Sequence, residues 1–358
     1  MMIISKNLPK ISVIIPAYNS EKTINQTIKS VLNQTFADLE LIVINDGSQD
    51  STLEVATQIQ DSRIQVFSYP NAGGNVSRNR GLHHAVGEFV SFLDADDLWT
   101  PDKLQSQLKA LQENVTAKVA YSWTDYIDAN GQFVVSGKRI NVNENVYEKL
   151  LLNNFLENGS NPLICRKALT SLGGFDESLS AAQDWDMWLR LASKFDFICV
   201  PSVQILYRIS ANSVSSNLVR QEKACLQVLE RAYKERPSLR DATRTTLKYS
   251  WHISLANLYK YLTCKALQEP FNRQKSLASA RFLWKYFLND PSRLQNINLT
   301  LKLLLKIAII FTSPTLFYSI INRREVRKQE TKRFLNIWVT ENRPERKNGY
   351  PGAFTIFS

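Results

Sequence analysis

Histidine is nearly absent from this chain of 358 residues, with His83, His84 and His252 the whole complement. That excludes a zinc or iron site built on imidazoles. Any metal must lean on carboxylates, which favours Mg²⁺ or Mn²⁺. The four cysteines (Cys165, Cys199, Cys225, Cys264) form no CxxC pair, so they read as core thiols of a reducing compartment, not a disulfide framework. Neither GxGxxG nor GxxxxGK[ST] occurs. A phosphate would therefore be met by a metal ion or by basic side chains and not by a helix-cradling loop. No long apolar run precedes Ile11, so no signal peptide is visible. No internal repeat is evident either.

What is present is ordinary for a folded protein: 44% hydrophobic and 22% charged residues. The length suits one large domain with an appendage, or two domains. The net charge of +11 is unevenly spread. Residues 1–215 carry 18 Lys+Arg against 23 Asp+Glu, and residues 216–358 carry 26 against 10. An acidic first part and a strongly basic second part suggest separate tasks.

Ile11–Pro16, Leu39–Asn45, Ile64–Ser68 and Phe89–Leu93 read as strands, each followed by a helical pattern. The first helix has apolar positions Ile24, Ile28, Val31 and Leu32. The second opens with Ser51-Thr-Leu-Glu54 at capping-box spacing. Thr100-Pro101-Asp102 reads as a further helix start, with Thr100 as N-cap. Four strand–helix units in about a hundred residues imply an α/β domain with a largely parallel sheet. Beyond Lys118 come a hairpin signal at Asn130-Gly131, strands near 162–165, 197–200 and 205–209, and a helix over 184–194. From about Ser216 onward the pattern is helical.

Four successive strands end in small, polar or acidic residues: Pro16-Ala-Tyr18-Asn19, Asp46-Gly47-Ser48, Asn71–Arg78 and Asp94-Ala-Asp96-Asp97. Strand tips on one sheet edge are where open α/β sheets bind ligands. The last turn packs three carboxylates into four positions. Such acids repel each other unless something positive joins them. They read either as a divalent-cation site serving a phosphorylated ligand or as a solvated turn into a helix.

The strings SVIIPAYNSEKTINQTIKSVLNQTF, LIVINDGSQDST, NAGGNVSRNRGL, FLDADD, GGFDE and QDWDMWLRLA stand in the order seen in family 2 glycosyltransferases. Over residues 10–215 the chain resembles that family. The resemblance implies a GT-A fold, a Rossmann-like mixed sheet, and an inverting transfer of a sugar from a nucleotide-diphosphate donor with a divalent metal. It implies nucleotide contacts from Pro16, Ala17, Tyr18 and Glu21, and hydrogen bonds from the base, usually uracil, to Asp46. Arg78 matches the basic residue near the pyrophosphate or base. Asp94 and Asp96 match a DxD pair, Asp94 toward the ribose and Asp96 toward the metal. Asp184 matches the catalytic base, although its position alone would equally suit a helix N-terminal acid favoured by the macrodipole. Two departures stand out. Gln183 replaces the usual Glu before Asp184, which removes a charge that would raise its pKa. Ser210 stands where the family often carries a His.

The expected organisation is a transferase domain over 1–215, a helical extension over 216–300 and an apolar and basic tail over 301–358. The tail has sixteen uncharged positions from Ile307 to Asn322, broken by Pro314 and followed by Arg323, Arg324, Arg327, Lys328, Lys332 and Arg333. That is short of the roughly 20 apolar residues a span requires. It reads as a peripheral anchor on an anionic membrane, with a packed helical core, a re-entrant segment or a span as alternatives. A nucleic-acid partner is not expected, since no recognition fold is visible. The expected partners are a nucleotide sugar, most simply a UDP-sugar, and a glycan or lipid-linked acceptor. The expected place is the cytoplasm or the cytoplasmic face of the membrane. A metal-dependent nucleotidyltransferase or a non-catalytic nucleotide-sugar binder would share the same sheet edge.

Overall fold

The central strand β1 (Ile11–Ala17) is flanked by β2 (Leu39–Asn45) and β4 (Phe89–Phe92), and β3 (Ile64–Ser68) lies outside β2. All four run parallel, with Ala17 level with Asn45, and Ile14 level with Phe92. In this computed structural model the described residues are 8–209, 217–235, 244–268, 270–295 and 297–320. Every residue of β2 and β4 is buried, which is why these segments are mostly apolar, with Glu40, Asn45 and Ser91 as buried polar exceptions. Alternation along β1 sends Val13 and Ile15 to one face and Ile14 to the other.

The Val13 face is covered by α1 (Ile24–Leu32), α2 (Thr52–Thr57) and α4 (Lys103–Glu113). The Ile14 face is covered by α3 (Gly74–His84), which approaches so closely that a Cβ on Gly81 would sit 2.3 Å from the Ile14 side chain. The same buried cluster takes in α5 (Tyr147–Leu152), α6 (Arg166–Thr170) and α7 (Gln183–Ala192). It continues without a break into α8 (Leu218–Lys234), α9 (Arg244–Ala266), α10 (Arg273–Asn289) and α11 (Ile297–Thr312).

The sheet is mixed beyond the parallel quartet. β8 (Leu163–Cys165) pairs antiparallel with β4, then with β6 (Ala117–Ile127), and β6 pairs parallel with β9 (Asp196–Arg208). β7 (Phe133–Ser136) closes the hairpin on β6 through a loop in which Gly131 takes φ +80°. The reversal at β8 has a functional consequence. Its first residue, Leu163, lies level with Ser91, so the loop entering β8 reaches the same edge at which β4 ends.

Local expectations hold with some corrections. The stretches 197–200 and 205–209 are one strand, because the β6–β9 register shifts between Tyr121 and Thr124 and absorbs the interval around Pro201. Ser51 makes no cap bond to α2. Glu21 Oε2 instead accepts from Ser51 N, and Asp50 Oδ1 from Thr52 N at 3.0 Å. α4 begins at Lys103, after a two-residue strand β5 (Leu98–Trp99), with Asp102 at the N-cap position and Thr100 Oγ1 donating to it. Of the cysteines, Cys199 and Cys225 are buried, Cys165 is half-buried and Cys264 is exposed on α9. Position 210 and the basic cluster from Arg323 lie outside the described residues.

Lys103 is fully buried, where its ammonium donates to Ser91 Oγ at 2.6 Å and lies 3.7 Å from the Trp99 ring centre. Burial pushes its pKa well below the usual lysine value. A depressed lysine pKa means the unfolded chain binds the extra proton, so stability should rise as pH climbs from the depressed folded value toward the unfolded lysine value. Replacing Lys103 by Met should flatten that rise. Urea midpoints at pH 7 and pH 9.5 check it, and an unchanged slope would refute the buried-lysine cost.

Candidate active site

The edge formed by the C-terminal ends of β1, β2, β3 and β4 collects the expected residues. Asp46 follows β2 and is almost wholly buried, with only 3% of its surface exposed. Its carboxylate accepts from Ala72 N at 3.0 Å and Gly73 N at 2.8 Å, and Arg80 adds an ion pair at 3.2 Å. Gly47 (φ +69°) turns the chain back at once. A Cβ there would meet Asn71 N at 2.8 Å. The β2 tip and the loop after β3 are thus locked together through one acid. Pro16 and Ala17 close β1, Tyr18 is 48% exposed, and the Glu21 carboxylate is turned toward α2.

The acidic turn after β4 gives its three carboxylates different surroundings. Asp94 Oδ1 pairs with Arg78 from α3, and its N–H donates to Ser160 Oγ at 3.1 Å. Asp97 is fully buried, accepting from Ser160 Oγ at 2.5 Å and from Arg208 N at 2.9 Å. Burial, with Asp96 and Asp94 beside it, pushes the Asp97 carboxyl well above the usual range. Asp96 is half-buried. Burial first, and the Asp94 charge second, raise its pKa to about 6. Arg208 spans the turn from behind. Its Nε donates to Asp96 O at 2.8 Å, and its Nη atoms reach Asp128 O, Ala129 O and Gln26 Oε1.

Asp184 is the second residue of α7, and the loop before that helix is tied to α3. Asn75 Nδ2 donates to Asp176 O and Leu179 O, and Asn79 Nδ2 to Phe175 O while Asn79 Oδ1 accepts from Phe175 N. Ala182 at φ +56° turns the chain into the helix. Trp185, Trp188, Leu189 and Ala192 are buried as their spacing requires, but so are Asp186, Met187 and Leu191, so the helix is enclosed on most sides. The Asp184 carboxylate accepts from Asn154 Nδ2 at 3.3 Å. Burial raises its pKa. The Trp185 backbone N–H and the Arg78 charge oppose that rise, and Asp94 adds to it. Asp184, Arg78 and Asp94 therefore lie in one electrostatic neighbourhood although α7 and β4 are far apart in sequence. Cys225 and Tyr261 are in that neighbourhood too, for Asp184 helps to raise both of their pKa values. Helices α8 and α9 thus border the site.

The sequence reading gives Ser160, Arg208, Arg80 and Asn154 no role in the site. Ser160 and Asn154 sit in a polar stretch with no periodicity, and Arg208 ends an apolar strand. Asp97 was visible as the third acid of the turn, but nothing marked it as the structural one. His84 is a packing residue, its ring stacked 3.8 Å from Phe67 and its Nε2 2.8 Å from Tyr69 Oη.

Among the described residues no group of three or more His, Cys, Asp or Glu side chains could hold a metal ion. Two carboxylates with a diphosphate are nevertheless a common Mg²⁺ or Mn²⁺ arrangement. The raised Asp96 pKa, set first by burial and second by the Asp94 charge, is compatible with this, since a cation would relieve the Asp94 repulsion.

A family model described as glycosyltransferase-like family 2 matches residues 12–264. The chain belongs to this family. Among its curated relatives is WfgD of Escherichia coli, a UDP-Glc:alpha-D-GlcNAc-diphosphoundecaprenol beta-1,3-glucosyltransferase, 34% identical over 227 residues covering 61% of this chain and 85% of WfgD. The chondroitin synthase of Pasteurella multocida is 33% identical over 187 residues, 52% of this glycosyltransferase but only 19% of the synthase. Solved structures agree on the GT-A fold. S. aureus TarS with UDP-GlcNAc aligns over 80% of this chain and 92% of its own, at TM-score 0.53 and 18% identity. The mannosyltransferase PcManGT of Pyrobaculum calidifontis, in complex with GDP-Man and Mn²⁺, aligns over 87% and 89% at TM-score 0.51 and 19% identity.

In this glycosyltransferase an Asn at position 46 could accept only one of the two loop N–H groups and would turn its own NH₂ toward the other. Asp46→Asn should cost about 1–3 kcal/mol, read as a fall in the urea midpoint at unchanged slope. No change would mean the Ala72–Gly73 loop is held by something else.

Proposed function

We propose that the chain transfers a sugar, with inversion, from a uridine-diphosphate donor to a hydroxyl of a lipid-linked or growing cell-surface glycan. The observation that carries this reading is that Asp184 lies in the electrostatic field of the Arg78–Asp94 pair, on the edge that also presents Asp46. The lipid-linked acceptor is supported by what the name of WfgD says of that protein.

Asp46 is suited to the nucleobase. Oδ1 already accepts from Ala72 N and from Arg80, whereas Oδ2 accepts from Gly73 N and keeps a lone pair for a base N–H. Pro16, Ala17, Tyr18 and Glu21 would line the nucleotide from β1, with Tyr18 exposed enough to stack. Asp94 would accept from the ribose, and Arg78 would meet the pyrophosphate. Asp96, with Asp94, would hold Mg²⁺ or Mn²⁺, which when bound supplies Lewis-acid stabilisation to the departing diphosphate.

Asp184 would take the proton of the acceptor hydroxyl as that oxygen attacks the anomeric carbon. Its origin on α7, a different element from the donor edge, suits a base acting from the face opposite the diphosphate. Burial helps, because a carboxylate raised above its usual range is a stronger base. Arg78 and Asn154 favour the ionised form, the one that can accept a proton. A lipid-linked acceptor would bring the protein to the cytoplasmic face of a membrane as a peripheral enzyme.

Asp184→Asn should lower turnover by about 100-fold or more while the thermal shift given by a UDP-sugar persists; retained turnover would remove Asp184 from the reaction. The product should be a nucleoside diphosphate, and release of pyrophosphate would instead mean a nucleotidyltransferase. Asp96→Ala should abolish the extra stabilisation that Mn²⁺ adds to donor binding. Equal donor affinity with and without Mn²⁺ in the unaltered protein would count against the metal role.

The pH–rate profile should lose activity as pH falls through a pKa above the usual carboxylate range, since Asp184 must be ionised to act. Asn154→Leu removes a hydrogen bond to the carboxylate and should move that acid limb to higher pH. A limb that stays put would show that Asn154 does not tune Asp184.

A further inference from the structure

Helices α10 and α11 form an antiparallel hairpin. Ser276 Oγ donates to Ile307 O at 2.7 Å, and Arg273 Nε to Phe311 O at 3.1 Å. At about 1.5 Å per residue, that register lays the second half of α10 beside the first half of α11. The inward face carries Ser276, Ser279, Phe282 and Tyr286 on α10, with Ile307 and Ile310 on α11. The opposite side is also apolar. Leu277, Trp284 and Leu288 recur at one helical face of α10, and Ile297, Leu301 and Leu305 at one face of α11. Each is more than half exposed, Trp284 at 65%.

Charge indicates what covers this face. Residues 270–320 hold seven Lys and Arg against a single Asp; Arg281 and Lys285 pair with Glu222 and Arg293 with Asp290, while the exposed Lys302 follows Leu301 directly. The sequence then continues into the Arg323–Arg333 basic cluster. A second copy of the hairpin would bring like charges together. An anionic surface would not, and the helices need not cross it, for among the described residues no helix is long and apolar enough to span a membrane. We propose that the outward face of the α10–α11 hairpin, including Trp284, rests in the interface of an anionic lipid bilayer. The surface is thereby placed partly on α10, ahead of the apolar tail. It deepens the peripheral, lipid-linked reading above, but lipid binding is measured without donor or acceptor, so each can fail alone.

The test is flotation of the full chain with vesicles of phosphatidylcholine alone or mixed with phosphatidylglycerol. The unaltered protein should float with the anionic vesicles and less with the neutral ones. The variant Trp284→Ser, Leu288→Ser, Leu301→Ser, Leu305→Ser should bind about tenfold more weakly or worse, while keeping its donor-induced thermal shift. Vesicles with brominated acyl chains should quench the emission of the unaltered protein more than that of Trp284→Phe. Failure of the unaltered protein to float, equal flotation of the fourfold variant, equal quenching, or a dimer that the variant dissolves without changing lipid binding would each overturn the proposal.

Discussion

Three carboxylates crowded at the tip of β4 are the constraint on which this architecture turns. They cannot share one turn unless the fold supplies positive charge and hydrogen-bond donors in the right order. Asp97 is met by Ser160 and the Arg208 backbone, and Asp94 by Arg78. Asp96 has only its own backbone amide and the more distant Arg208 charge to offset its neighbours. The donors come from α3, from the loop entering β8 and from the end of β9, so the turn is satisfied only once the sheet has closed. The arrangement also sorts the acids chemically. Asp97 is buried as a structural group, and Asp96, half-buried beside Asp94, is the acid left for the proposed cation.

A second dependency runs from α3 to α7. Helix α3 supplies Arg78 to Asp94, while Asn75, about one turn earlier, and Asn79, the next residue, hold the loop that leads to Asp184. A single rigid element therefore sets the distance between the acidic turn and the buried carboxylate. Because α3 packs against β1 at Gly81 with no room for a Cβ, it has little freedom to slide. Ion pairs from Arg231 to Asp176 and Asp186 fasten the same loop and helix to α8.

The sequence made the strand tips legible because each tip is a local event: an apolar run, then glycine, asparagine or acid within a few residues. It also made α7 legible, through its apolar spacing. It did not reveal the partners of those tips. Ser160 is one polar residue in a polar loop, and only the antiparallel turn of β8 brings it to Asp94. Arg208 ends a strand whose bulge could not be inferred from apolar spacing. Lys103 was unreadable for a different reason. Lysine at a helix start is ordinarily solvated, and nothing near it in sequence announces Ser91 or Trp99 as its surroundings. The cap of α2 was misread because Glu21 and Asp50 satisfy the helix N–H groups better placed than Ser51 does.

The uneven legibility has a physical origin. The edge proposed for the nucleotide is built from residues 11–97, where short loops leave consecutive strands and each loop must hold a fixed shape around groups that do not vary: a base, a ribose and two phosphates. The other side of Asp184 is built differently. Asn154 comes from an irregular segment, and Cys225 and Tyr261 from helices α8 and α9, whose inward faces are constrained mainly to pack. Packing tolerates many apolar combinations, so a surface built this way can be recut for a different acceptor without disturbing the carboxylates. The part of the chain that is rich in motifs is the part that would hold the invariant half of the substrate pair. The part that looks like plain helix is where the choice of acceptor would be made.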